Sequence, residues 1–180
     1  MSTLLVSPFS NSDIRDWPAE NFSRLIALML DRPEAPALIR VIGTAGQRQR
    51  ANGIVRELRS DRVRNDCGTL PWPDVVAEVR TATCVIGNNS GISHLSAYLG
   101  TPTVCIFGGS HQRLEWRPQG PAVRLLTRAV GCSPCHLDHG RSCGYAKACL
   151  RELAPEVVAD AVSELLRGGG GQEHKRAGGI

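Results

Sequence analysis

The sequence predicts an α/β fold, a Rossmann-like doubly wound parallel sheet, on three observations. Short β-branched runs alternate with amphipathic helical stretches along the chain, the signature of βαβ units. Glycine and small polar residues follow most of the apolar runs, where strand-to-helix turns belong. With 180 residues and 42% hydrophobic content, the chain can bury one proper core but leaves no room for a second large domain.

Each element follows from the local pattern. A first strand is read at 3–6, and a helix opens at Trp17-Pro18, where Phe22, Leu25, Ile26 and Met29 keep the i, i+3, i+4, i+7 rule. Pro33 and Pro36 end it, and 37–42 is the next strand. A basic amphipathic helix is expected over 46–58, an edge strand over 62–65 and a helix over 73–80. The run 83–86 is a strand, 92–99 a helix and 103–107 a fifth, buried strand. The last helix begins at Pro155, a residue suited to the first helical position, with Glu156 complementing the dipole. Val158, Ala161, Val162 and Leu165 form its stripe. The expected domain therefore spans 1–167, with a four-cysteine loop at 131–149. From Gly168 the run of glycines begins a polar tail, 168–180, expected to be disordered.

Composition narrows the function classes. The net charge of +4 is mild, the arginines are scattered and only 4% of residues are aromatic. That argues against nucleic acid and suits an anionic small molecule or peripheral contact with a membrane surface. The N-terminal Met1 to Pro8 lacks a basic region followed by a long apolar run, and no stretch is long enough to span a bilayer, so a cytoplasmic location is expected.

The chemistry concentrates in the turn from Val85 to Leu95, where a strand breaks into Gly87-Asn88-Asn89-Ser90-Gly91 and restarts at once as a helix. Ser90 is a good N-cap, the two glycines allow close backbone approach, and the free amides and dipole of a helix start favour an anion. In open α/β sheets, ligands collect at the carboxyl ends of the strands. The loops there carry Ser10, Asn11 and Arg15 after the first strand and Gly43 to Gln47 after the second. Asn88 to His94 follow the fourth, and Phe107 to His111 the fifth. Arg15, the helix start and the glycines could jointly hold a diphosphate, with Gln47 placed for sugar hydroxyls. Each of these residues also has an ordinary structural reading, as a solvated arginine, a helix-start glutamine or a packed histidine.

Seven cysteines divide into two groups. Cys67, Cys84 and Cys105 lie singly on apolar segments and read as packing residues. Cys132, Cys135, Cys143 and Cys149 follow C-x2-C-x7-C-x5-C, with His136 and His139 inside the loop. The close pair and two further thiolates can complete one tetrahedral site, for which zinc is the default and iron fits equally. Free thiols or a partly oxidised loop are the alternatives. The spacing also occurs in zinc ribbons, but the cluster lacks interleaved aromatics and a basic flank.

Several of these motifs together resemble one family. Gly87-Asn88-Asn89-Ser90-Gly91-Ile92-Ser93-His94-Leu95, followed by Leu99-Gly100-Thr101-Pro102-Thr103-Val104 and Phe107-Gly108, resembles the donor-site signature of glycosyltransferase family 9. That family includes the ADP-heptose heptosyltransferases of lipopolysaccharide core synthesis and the autotransporter heptosyltransferases. Arg15-Asp16-Trp17-Pro18 is similar to its basic residue before Trp-Pro, and Gly43 to Gln47 to its glycine-rich turn ending in Glu. The late cysteines and Leu150 to Glu156 are similar to its closing segment.

The resemblance implies the C-terminal half of a GT-B glycosyltransferase, the half that holds the nucleotide sugar. It implies an inverting transfer of a heptose or other sugar to a saccharide or protein acceptor, with ADP-heptose the favoured donor. Ser10, Asn11 and Arg15 would contact the diphosphate, Ser90, Gly91 and His94 would line the same pocket, Leu70 would lie near the base and Gln47 would face the ribose. Some autotransporter members carry a four-cysteine, iron-bearing motif. The general base belongs to the family's N-terminal acceptor domain, so no catalytic residue is assigned here and no turnover is expected without a separate partner domain. The family places the work at the inner face of the bacterial inner membrane.

Two departures remove negative charge: Asn89 stands where the family commonly has Asp, and Gln47 where it has Glu. Arg15 replaces a lysine and retains the cation. The nucleotide therefore stays open among adenine, uracil and guanine. Two other functions remain beside the transferase half: a non-catalytic nucleotide-sugar binding module, and a metal-stabilised interaction domain.

Overall fold

The computed structural model describes residues 2–138 and 142–168, arranged as one six-stranded parallel sheet in the order β3-β2-β1-β4-β5-β6. The strands are β1 (Thr3–Ser7), β2 (Leu38–Val41), β3 (Val63–Asn65), β4 (Cys84–Asn88), β5 (Thr103–Ile106) and β6 (Val123–Leu126). Helices α1 (Ala19–Leu30), α2 (Arg48–Val55), α3 (Trp72–Thr81), α4 (Gly91–Tyr98) and α7 (Pro155–Gly168) cover it, and α5 (Arg113–Trp116) and α6 (Ala148–Arg151) are single turns. The strand order is that of a doubly wound Rossmann-like sheet, which reverses direction between β1 and β4. The glycine-rich tail from 169 and His139 lie outside the described residues.

Alternation along the strands builds the two faces. Leu4 and Val6 of β1, with Cys84 and Ile86 of β4, pack into one cluster, joined by Phe22, Leu25, Ile26 and Met29 of α1 and Val158 and Val162 of α7. Leu5 and Val85 point to the opposite face, where Val79 of α3 and Ile92 and Leu95 of α4 meet them. Successive side chains on a strand point to opposite faces, so a parallel sheet covered on both sides has no polar alternation. Trp17 explains the Trp-Pro pair: only 1% exposed, it packs edge-on to Phe22 and donates from Nε1 to the Leu153 carbonyl at 3.1 Å.

Three expectations need correction. The sheet has six strands, because Val123–Leu126 pairs with β5 in parallel register from Thr103↔Val123. It is a half-covered edge strand, so it lacks a buried run that would announce it. The helix expected over 46–58 is a 3-10 turn over Ala45–Gln47 followed by α2, which ends at Val55. The left-handed Arg59 (φ 44°) then closes off any continuation of the helical path. Finally, β4 runs on through Gly87 and Asn88, which pair with Cys105 and Ile106 rather than turning.

Candidate functional site

The cleft opens at the β1/β4 reversal, where crossovers leave in opposite directions and ligands collect in such sheets. Gly87 lets the two strands meet: a Cβ there would stand 2.9 Å from the Ser7 carbonyl oxygen and 3.1 Å from Ser93 Oγ. Beyond the strand ends lies a cavity of about 710 Å³. All nine binding residues expected from the sequence line it: Ser10, Asn11, Arg15, Gln47, Leu70, Asn89, Ser90, Gly91 and His94.

Their side chains do unequal work. Ser10 Oγ is engaged within its own loop, 2.6 Å from the Ser12 carbonyl and 2.8 Å from Asp16 Oδ1. Gln47 is likewise committed: its Oε1 accepts from the Thr44 amide at 2.9 Å, and its Nε2 points to the Ser10 carbonyl at 3.4 Å. It closes a capping box with Thr44. Asn89 Oδ1 sits 3.0 Å from His94 Nε2. The half-buried His94 has its pKa lowered by burial, which favours the neutral imidazole.

Two donors remain free. Ser90 occupies the N-cap position of α4, yet its hydroxyl makes no cap bond and is buried without a partner. Arg15 uses one guanidinium nitrogen on Asn11 Oδ1, while its Nε is buried and unpartnered. Leaving a buried donor unsatisfied costs about 1–3 kcal/mol, more for a charged group; Ser12 Oγ and Ser163 Oγ are also buried without a partner, but only Ser90 and Arg15 line the cleft. Both line the cleft into which α4 begins, and the free amides and dipole of that helix start also favour an anion. Gly91 contributes open space, since no atom lies within 4 Å of where its Cβ would be.

Residues that were assigned no binding role from the sequence hold this arrangement. The fully buried Asn88 accepts from the Trp17 amide at 3.0 Å and donates to the Pro8 carbonyl at 2.6 Å, locking the β1 loop to β4. Asp16, 4% exposed, takes the Ser10 amide at 2.7 Å and pairs with Arg50 at 3.1 Å. The Arg50 guanidinium lies 4.1 Å from the centroid of the Phe9 ring in the cleft wall. Lys147 Nζ reaches the Asp13 carbonyl at 2.9 Å, bracing the loop that carries Arg15 from behind. Apart from the Ser10–Asp16 bond, these contacts join residues far apart in sequence, so only the general abundance of Asn and Asp near strand ends hinted at them.

Asp66 is the single carboxylate among the described residues lining the cavity, and Arg40 Nε holds it at 2.5 Å.

The four late cysteines form a separate place. Cys132, Cys135, Cys143 and Cys149 line a smaller cavity of about 190 Å³ behind Gly109, and all four thiols are free. The Gly109 amide donates to Cys149 Sγ at 3.3 Å, and the Cys135 amide to the Gly109 carbonyl at 2.9 Å. The donor set suits zinc or iron. As placed, however, no three His, Cys, Asp or Glu side chains among the described residues stand close enough to share an ion. Cys67, Cys84 and Cys105 are buried packing residues, and burial pushes their thiols up to about 11, 12 and 12.

A six-stranded parallel sheet whose order reverses at β1/β4, covered by helices on both faces, is a Rossmann-like α/β domain. The chain belongs to glycosyltransferase family 9 (heptosyltransferase), whose model matches residues 2–145. It is 28% identical over 160 residues to lipooligosaccharide heptosyltransferase 2 of Campylobacter jejuni, covering 84% of this chain and 46% of that protein. Its fold matches Escherichia coli ADP-heptose LPS heptosyltransferase II with a TM-score of 0.79 at 18% identity, over 94% of this chain and 47% of the other. It also matches TibC of enterotoxigenic Escherichia coli, a dodecameric iron-containing heptosyltransferase solved with ADP-D-β-D-heptose. That match has a TM-score of 0.70 at 18% identity, over 95% of this chain and 47% of TibC. The chain thus spans about half the length of the relatives it matches. No helix among the described residues is long and apolar enough to cross a membrane.

Proposed function

We propose that this chain is the donor-binding half of an inverting glycosyltransferase that moves a heptose or related sugar from a nucleotide diphosphate sugar, ADP-heptose being favoured, to a saccharide or protein acceptor. The observation that carries the reading is the pair of buried, unpartnered donors, Ser90 Oγ and Arg15 Nε, of two residues lining the cleft into which α4 begins. A diphosphate would satisfy both. In transfer, negative charge grows on the departing diphosphate as the sugar bond breaks. Arg15 and the α4 amides would stabilise that charge more strongly than the charge of the intact donor, which lowers the barrier. A neutral His94 would complete the pocket as a hydrogen-bonding group.

The acceptor hydroxyl must lose a proton, and Asp66, the single carboxylate lining the cleft among the described residues, is paired with Arg40. The base would come from a partner half of similar size, in keeping with relatives about twice as long. A bound metal at the four cysteines would be structural, and no step of transfer runs through it. The setting consistent with this role is the inner face of a bacterial inner membrane, reached by peripheral contact.

A second reading, a nucleotide-sugar binding module without turnover, is favoured by the amides at Asn89 and Gln47, each spent on a neighbour. Calorimetry with ADP, UDP and GDP tests the shared core of both. At least one diphosphate binds, and Arg15→Ala weakens it about tenfold or more, as expected for a charge-assisted hydrogen bond worth ~1.5–3 kcal/mol. Binding of none of the three would sink the site. Product formation from ADP-heptose when a partner half is added separates the transferase from the module.

A further inference from the structure

Three tryptophans occupy very different environments. Trp17 is in the core, whereas Trp72 and Trp116 are 61% and 52% exposed and both line the large cleft. Large exposed aromatics on a concave, ligand-sized surface mark binding rather than packing. Their positions along the cleft differ in a way the sheet order decides. Trp72 begins α3, after the loop that follows β3, beside Leu70. Trp116 ends α5, in the connection that follows β5. In the order β3-β2-β1-β4-β5 these are opposite ends of the carboxyl edge, separated by four strand spacings, about 19 Å. The free donors Ser90 and Arg15 belong to the β4 and β1 loops, between the two.

A nucleotide diphosphate sugar is a three-part ligand with the diphosphate in the middle. Seated on the central donors with its base toward Leu70, it must extend its sugar toward the β5 side. We propose that Trp116 is a platform for the transferred sugar, its indole face taking the C–H face of the pyranose, and so is a specificity-determining residue. This rests on the donor-site reading above. A sugar ring offers an apolar face edged by hydroxyls, and a tryptophan offers a large rigid apolar surface at little entropic cost. The ring is held in place rather than loose. The His111 imidazole packs edge-to-face against it at 5.5 Å and 68°, and His111 Nδ1 lies 2.9 Å from the hydroxyl of the buried Ser110.

The test compares ADP with ADP-heptose on the 180-residue chain by calorimetry, using Trp116→Ala, Trp116→Phe and Trp72→Ala. Trp116→Ala is expected to weaken ADP-heptose about three- to tenfold, in the range of aromatic contacts, while ADP binding stays within about twofold. Trp116→Phe recovers most of the loss. Trp72→Ala, at the base end, weakens both ligands alike. Unaltered ADP binding shows that the fold of both Trp116 variants is intact, and an unchanged melting temperature shows the same for Trp72→Ala. An equal loss of ADP and ADP-heptose in Trp116→Ala, or no loss of ADP-heptose, would overturn the assignment and point to the acceptor or a partner surface instead. If the unaltered chain binds ADP-heptose no more tightly than ADP, the sugar platform is also refuted, though the diphosphate site stands. If it binds no ADP at all, the donor-site reading fails and this assignment with it.

Discussion

The cleft at the strand ends and the cavity lined by the four late cysteines are separate places, and they are held together in opposite ways. In the cleft, nearly every polar side chain is bonded to another part of the fold, and only Ser90 Oγ and Arg15 Nε are left free and buried. In the loop, four thiols gather around one cavity, and only Cys149 Sγ accepts a hydrogen bond among those described. A region that satisfies itself is organised before a ligand arrives. A region of clustered thiols without mutual bonds takes its order from something added to it or from its neighbours, here Lys147 and the Gly109 backbone.

The difference can be broken most directly at Asn88. Asn88→Ala removes the partners of the Trp17 amide and the Pro8 carbonyl inside the protein. The expected loss is about 2–4 kcal/mol, read as a melting temperature lower by about 5–10 °C. Cys143→Ser, without metal, should change stability by less than about 0.5 kcal/mol. Equal losses from the two variants would erase the contrast.

The second test concerns what the loop lacks. Zinc or ferrous iron at about 100 times its dissociation constant should raise stability by about 2.7 kcal/mol. Elemental analysis should find about one metal per chain, and Cys143→Ser should abolish both effects. A melting curve indifferent to metal and chelator would leave the loop a set of free thiols.

Alkylation sharpens the same contrast with a smaller perturbation. The thiolate is the reactive species, and burial holds Cys67, Cys84 and Cys105 at about 11, 12 and 12. Mass spectrometry after brief labelling at neutral pH should show Cys132, Cys135 and Cys143 modified first. Cys149 should follow more slowly, because burial and its three neighbouring cysteines raise its pKa. The three core thiols should react only on unfolding. Early labelling of Cys84 would contradict the packing around it.

The smallest expected effect is on pH. Burial lowers the pKa of His94 in the folded state, so the unfolded chain binds more protons there as pH falls below about 6.5. Its contribution to stability is therefore full above that pH and declines on acidification until the folded pKa is passed. His94→Gln should flatten the fall in melting temperature between neutral and mildly acidic pH, leaving the smaller share of His111, also lowered by burial. An unchanged slope would show that His94 is not desolvated in solution.

Much of this architecture was legible in the sequence because it rests on local patterns. Phe22, Leu25, Ile26 and Met29 announce the buried stripe of α1, and the β-branched runs announce five strands. Eight of the nine cleft residues were found because they follow those strands, where an open α/β sheet binds ligands, and Leu70 was named only through the family resemblance. The sixth strand escaped because an edge strand with one half-covered face needs no continuous apolar run. Asn88, Asp16, Lys147 and Trp116 escaped for a different reason. Their roles consist of contacts, or a shared cleft, with residues distant in sequence, such as the bond from Asn88 to Trp17.

By itself the sequence determined the alternation of elements, the family and the set of residues at the strand ends, because hydrophobic period, glycine placement and turn chemistry act over a few residues. Only the tertiary structure decided which of those residues still have bonds to offer. Ser10, Gln47 and Asn89 carry the right groups for a ligand, but the fold has already engaged them, while Ser90 and Arg15 keep a donor in reserve. A buried polar group binds whatever partner lies within about 3 Å, and that distance is set by how strands and loops from distant parts of the chain come together.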